Sequence, residues 1–197
     1  MLKIGLTGGI GSGKSEVSKF FSSWGAFIFD ADKEAKIIIN KNEQAQQEII
    51  NEFGSDVVDA DNIIDKKKLA RVAFQDEFHQ LKLNSIIHPF VFKKIDEIFD
   101  KIKLNNKYKA FIVDAALIYE SGADTHMDYV IVVTSLLRFR TERVMSRGNI
   151  SREDFMKRVA LQWSDEDKKH MADFTIQNNN DLKVLEKESK KIFNSIF

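Results

Sequence analysis

Gly8-Gly9-Ile10-Gly11-Ser12-Gly13-Lys14-Ser15 directly follows a short apolar run, Leu2 to Thr7, and satisfies G-x-x-x-x-G-K-[ST]. Glycines let successive N–H groups turn inward around phosphate oxygens without Cβ clashes. A helix beginning near Lys14 would direct its positive dipole end at the same anion. Lys14 would then reach the β- and γ-phosphates, and the Ser15 hydroxyl would coordinate Mg²⁺. With glycine near 7% of residues, such a match arises by accident in about one chain of this length in a hundred. The candidate nucleotide-binding set is Gly9, Gly11, Ser12, Gly13, Lys14, Ser15 and Glu16. The glycine spacing partly mimics a dinucleotide fingerprint, but the Gly-Lys-Ser ending belongs to the phosphate loop.

The pattern around the loop indicates its setting. Val17, Phe20, Phe21 and Trp24 stand at i, i+3, i+4 and i+7, one face of a helix, and Gly25 sits where a C-cap belongs. Buried strands are expected at 2–7, 26–29, 110–113 and 129–133, with a weaker fifth at 174–176. Between them lie helical patterns, including a basic helix from Leu136 to about Arg147 and one opened by Ser151. A terminal helix is capped by Asp181, with Leu182, Leu185, Ile192 and Ile196 as its apolar face. Pro89 fits the first turn of a helix. Strands alternating with helices predict an α/β fold of the P-loop NTPase type, a five-stranded parallel sheet covered on both faces.

Composition excludes several classes. Thirty basic and thirty acidic residues leave no net charge, against the cationic surplus of a nucleic-acid-coating protein. Cysteine is absent, which removes disulfides and thiolate metal sites, and the scattered histidines suggest no zinc site. No run reaches eighteen apolar residues, so a cytoplasmic protein without a membrane partner is expected, as a monomer or weak oligomer.

A phosphate loop does not distinguish kinase from switch or motor. No Asp is followed by Gly at the third position, as guanine switches require for the γ-phosphate. Asn40-Lys41-Asn42-Glu43 reads as a helix end rather than a guanine box. Asp30 and Asp32 follow the second strand and Asp114 the third, and ligands of open α/β sheets lie beyond such carboxyl ends. A carboxylate there accepts the proton of an attacking hydroxyl or holds Mg²⁺; Asp32 is the candidate base, Asp114 the candidate metal ligand with Ser15, and Asp30 a cap. Arg140, Arg143 and Arg147 share a helix face, and Arg143 and Arg147 are candidate catalytic cations beside Lys14. A small-molecule kinase of any acceptor class and a nucleotide-dependent regulator both remain open at this level.

The chain also resembles the dephospho-coenzyme A kinase family over nearly its whole length. The resemblance rests on Gly5 to Ser15, Trp24-Gly25-Ala26 leading to Asp30-Ala31-Asp32, Phe53-Gly54, Asp65 to Leu69, Phe74, His88-Pro89 and Asp114 to Ser121. Arg143, Arg147, Gln162, Lys168, Ala172-Asp173, Ile176 and Asn178 complete it. Ala115 and Ala116 stand where the family usually has a proline before a Leu-Leu pair. Arg140 replaces a usual glutamine, Lys66 a usual arginine and Asn180 a usual glycine. The resemblance implies ATP-dependent phosphorylation of the ribose 3′-hydroxyl of dephospho-coenzyme A, with Asp32 as base and Asn178 bordering the adenine. It further implies one kinase domain with a core of about 1–32, 105–137 and 171–197. Residues of about 33–104 would then be an acceptor-side helical region and about 138–170 a lid.

Overall fold

A computed structural model describes residues 1–105 and 107–197. Five strands form one sheet: β1 (Leu2–Thr7), β2 (Ala26–Asp30), β3 (Ala110–Asp114), β4 (Tyr129–Thr134) and β5 (Phe174–Gln177). All neighbours are parallel and the order is β2-β3-β1-β4-β5, the architecture expected from the alternating pattern. Central β1 pairs Leu6 with Asp114 and Thr7 with Val132. The chain leaves β1 toward β2 and leaves β3 toward β4, so the crevice between β1 and β3 is the topological switch point where α/β sheets bind ligands.

The chain divides into two compact units, residues 1–30 with 97–197 and residues 31–96. In the first, α1 (Lys14–Ser23) and α9 (Leu182–Ile196) cover one sheet face. Val17 and Phe21 of α1, Ile4 and Leu6 of β1, Ile112, Ile131, Val133 and Ile176, and Leu185 and Phe193 of α9 form a buried cluster. Burying a side chain of this size contributes about 1.5–3 kcal/mol. Trp24 meets Phe193 edge-on at 5.4 Å between centroids. Asp181 caps α9 as expected, accepting from the Val184 amide at 2.9 Å. The expected apolar face of α9 is corrected at one end: Leu182 is 56% exposed, and Leu185, Ser189 and Phe193 are the buried stripe. Leu182 stands in the first turn, and the inward face of the helix begins three residues later, at Leu185.

The second unit holds α2 (Ala31–Lys41), α3 (Glu43–Phe53), α4 (Lys66–Ala73) and the first part of α5 (Glu77–Leu104). Asn42 caps α3 by accepting from Ala45, so Asn40 to Glu43 is a helix junction as read. Asp65 caps α4, and the amides of Lys68 and Lys67 hold its carboxyl below the usual range. Pro89 does not open a helix; it lies inside α5. A mid-helix proline costs about 3 kcal/mol, but Ile87, Val91 and Ile95 form a buried stripe through the same turns, and packing overrides the local penalty. The first unit is completed by α6 (Leu137–Arg147), α7 (Arg152–Ala160), capped by Ser151, and α8 (Asp165–Met171), capped by Ser164. No helix among the described residues is long and apolar enough to cross a membrane.

Candidate active site

The glycine loop emerges from the end of β1 and enters α1 at Lys14, so it lies at the switch point of the sheet. Gly13 has φ 102°, and a Cβ there would overlap the Asn178 amide, so only glycine fits this approach. Ser12 donates its amide to Gly9 O at 2.9 Å, and Glu16 donates its own to Gly13 O at 3.0 Å. Among the described residues, the amides of Gly11, Gly13 and Ser15 form no hydrogen bond within the chain. The Ser12 hydroxyl is buried without a partner. Unbonded donors at a helix N-terminus, with an orphaned hydroxyl beside them, fit a polyphosphate.

Asp114 ends β3 beside the loop and is 8% exposed. One of its carboxylate oxygens pairs with the Lys14 ammonium and the other accepts from the Ser18 hydroxyl. The Ser15 hydroxyl stands one residue into α1, on a side chain open to solvent. Ser15 and Asp114 supply hard oxygen donors of the kind Mg²⁺ takes when phosphates and waters complete its shell. No group of three His, Asp or Glu side chains suited to a metal occurs among the described residues. A cation held chiefly by phosphates does not need one.

The arginine row divides into three environments. Arg143 donates to the Ser135 hydroxyl at 3.0 Å and to Asn178 O at 2.9 Å, and it reaches Gly11 O at 3.4 Å. Burial pulls its pKa down, the charge of Arg147 adds to that, and Glu142 opposes it. Arg147 is exposed one turn later. Arg140 is buried, donating from Nε to Ile10 O at 2.9 Å and pairing with Asp165 at 3.1 Å.

Asn178 is buried as well, with Nδ2 donating to Ser12 O at 2.8 Å, so its side chain supports the loop from behind. Glu16 accepts from Lys19 at 2.8 Å through one carboxylate oxygen, and its amide donates to Gly13 O. Asp32 lies in the first turn of α2, in the helical unit, two residues beyond Asp30, which is in register with Asp114. His88, also in that unit, is partly buried at 5.8 Å from the Phe92 ring.

The sequence alone assigns no role to several of these groups. Ser18 sits four residues after Lys14, on the same helical face, and that spacing could have exposed it. Gln162 accepts from the Ile10 amide at 3.0 Å. Lys168, fully buried, pairs with Glu120 at 2.8 Å and donates to Ala116 O at 3.0 Å. No local pattern marks these last two.

A family model described as dephospho-CoA kinase matches residues 2–184. A dephospho-CoA kinase of Fusobacterium nucleatum is 39% identical over 193 residues, covering 98% of this chain and 97% of the relative. The crystal structure of TT1252 from Thermus thermophilus is similar with a TM-score of 0.81 at 28% identity, over 100% of this chain and 98% of that one. Dephospho-CoA kinase from Campylobacter jejuni is similar with a TM-score of 0.68 at 29% identity, over 98% of this chain and 96% of the other.

Proposed function

The chain belongs to the dephospho-CoA kinase family of ATP-dependent transferases, and we propose that it moves the γ-phosphoryl of ATP to the ribose 3′-hydroxyl of dephospho-coenzyme A. The products are ADP and coenzyme A. The family match carries the acceptor, and the loop with unbonded amides at Gly11, Gly13 and Ser15, set beside the Lys14–Asp114 pair at the switch point, carries the ATP site.

In this mechanism the loop amides hold the β-phosphate and Lys14 stabilises charge on the β- and γ-phosphates. Ser15 and Asp114 would hold Mg²⁺, which when bound would neutralise phosphate charge. The 3′-oxygen bonds to the γ-phosphorus as the bridge oxygen to the β-phosphorus departs with ADP. Asp32 takes the hydroxyl proton as general base. It closely follows a strand end that pairs with the strand of Asp114, which supports that role. Arg143 and Arg147 spread positive charge over the transferred group. Residues of about 138–170 act as a lid that excludes water, and about 33–104 receive the acceptor. Asn178 supports the loop from behind, through Ser12 O, and borders the adenine.

Turnover of dephospho-coenzyme A by purified protein with ATP and Mg²⁺ tests the reading. The expected product carries one new 3′-phosphate. A rate no greater than with simple nucleosides, nucleotides or sugar acids would defeat the acceptor assignment.

A further inference from the structure

Ile10, at the tip of the glycine loop, has both of its backbone polar groups taken by side chains from far along the chain. Its N–H donates to Gln162 Oε1 at 3.0 Å, in the connection between α7 and α8. Its carbonyl accepts from Arg140 Nε at 2.9 Å, from α6. The same guanidinium pairs through Nη1 with Asp165 at 3.1 Å, and Asp165 Oδ2 accepts from the Ser135 amide at 3.4 Å. A Cβ on Gly9 would overlap the Arg140 guanidinium, so the cation lies directly on the loop backbone. The Arg140 side chain is only 8% exposed. With Nε and Nη1 engaged and the group covered, Arg140 does not present its charge to a transferred phosphoryl.

We propose that Arg140 and Gln162 are positioning residues that fix the phosphate loop from both sides of Ile10, with Asp165 anchoring Arg140. The proposal rests on the reading of that loop as the ATP site. Gripping both polar groups of one residue fixes the orientation of its two flanking peptide planes, and with them the directions of the neighbouring amides. The loop's readiness for a polyphosphate thereby depends on residues 140, 162 and 165.

The test compares Gln162→Ala, Gln162→Glu and Arg140→Ala with the unmodified protein. It reads hydrogen exchange of the Ile10 amide, ATP affinity by titration, kcat and melting temperature. Gln162→Ala should speed Ile10 exchange and weaken ATP binding, each by about tenfold or more, the scale of a lost buried hydrogen bond. Gln162→Glu keeps an acceptor and should restore both to near the unmodified values. Arg140→Ala should weaken ATP binding by about tenfold to a hundredfold, since a charged donor is lost. If it does not fold, the two Gln162 variants decide alone. ATP affinity and kcat unchanged in Gln162→Ala, even with a lower melting temperature, would overturn the proposal and leave these residues merely structural. Failure of the unmodified protein to bind ATP would instead sink the functional reading on which the proposal rests, and the proposal with it.

Discussion

Lys14 and Asp114 form an ion pair between the start of α1 and the end of β3, and the same carboxylate accepts from Ser18 one helical turn further on. Their side chains are 15% and 11% exposed. A pair so little solvated gains from mutual attraction only while both members are present. The arrangement holds the ammonium at the mouth of the β1–β3 crevice and binds the loop to the strand beside it.

Removing one member should therefore cost stability as well as activity. Lys14→Ala is expected to lower unfolding free energy by about 3 kcal/mol, because Asp114 is left charged and poorly solvated. Adding Asp114→Ala should recover part of that loss without restoring turnover. Urea denaturation of the two single variants and the double variant measures the coupling. Additive losses would contradict it.

Asp32→Asn should leave ATP affinity nearly intact and reduce kcat by roughly 10²–10⁴-fold, the usual contribution of a positioned base. Steady-state kinetics with a parallel nucleotide titration separates the two quantities. An unimpaired kcat would remove Asp32 from the proton transfer.

Arg143 and Arg147 should respond differently to truncation. Arg147 is exposed, so Arg147→Ala should keep the melting temperature while kcat falls by about 10²-fold or more, the scale of one lost charge-stabilising donor. Arg143→Ala should lower both, because Arg143 also holds Ser135 and Asn178 together. An Arg147→Ala enzyme of full activity would reduce that arginine to a solvated surface charge.

His88 gives the helical unit a pH dependence. Burial holds its pKa below the ordinary 6.5, so just under that pH the unfolded chain binds more protons than the folded one. Stability should fall as pH drops below about 6.5 and level off once pH is beneath the folded-state value. His88→Gln should flatten that slope. Denaturant midpoints on either side of pH 6.5 would show it, and identical slopes would argue against the effect.

The strands and the loop were legible because their physics is local. Ile112 and Val113, or Ile131 to Val133, are continuous apolar runs that only a doubly covered sheet satisfies. The loop is legible because the backbone geometry it needs requires glycine. Pro89 misled because its own preference points to a helix start, whereas the stripe of Ile87, Val91 and Ile95 decides. Leu182 misled because periodicity cannot say where a helix first meets its neighbour. The loop supports were hidden for a different reason. Arg140 and Gln162 reach Ile10 across 130 and 152 residues, and a single glutamine or arginine on a polar face carries no sign of such a partner.

The order β2-β3-β1-β4-β5 also bears on how the protein is born. Leu2 must wait for Ala110, and Ile4 for Tyr129, before the middle strand has either neighbour. At ribosomal speeds of about 5–20 residues per second, its apolar edges stay unmatched for roughly 6–25 seconds of synthesis. The segment that comes to cradle phosphate therefore passes that interval beside an unpaired strand edge.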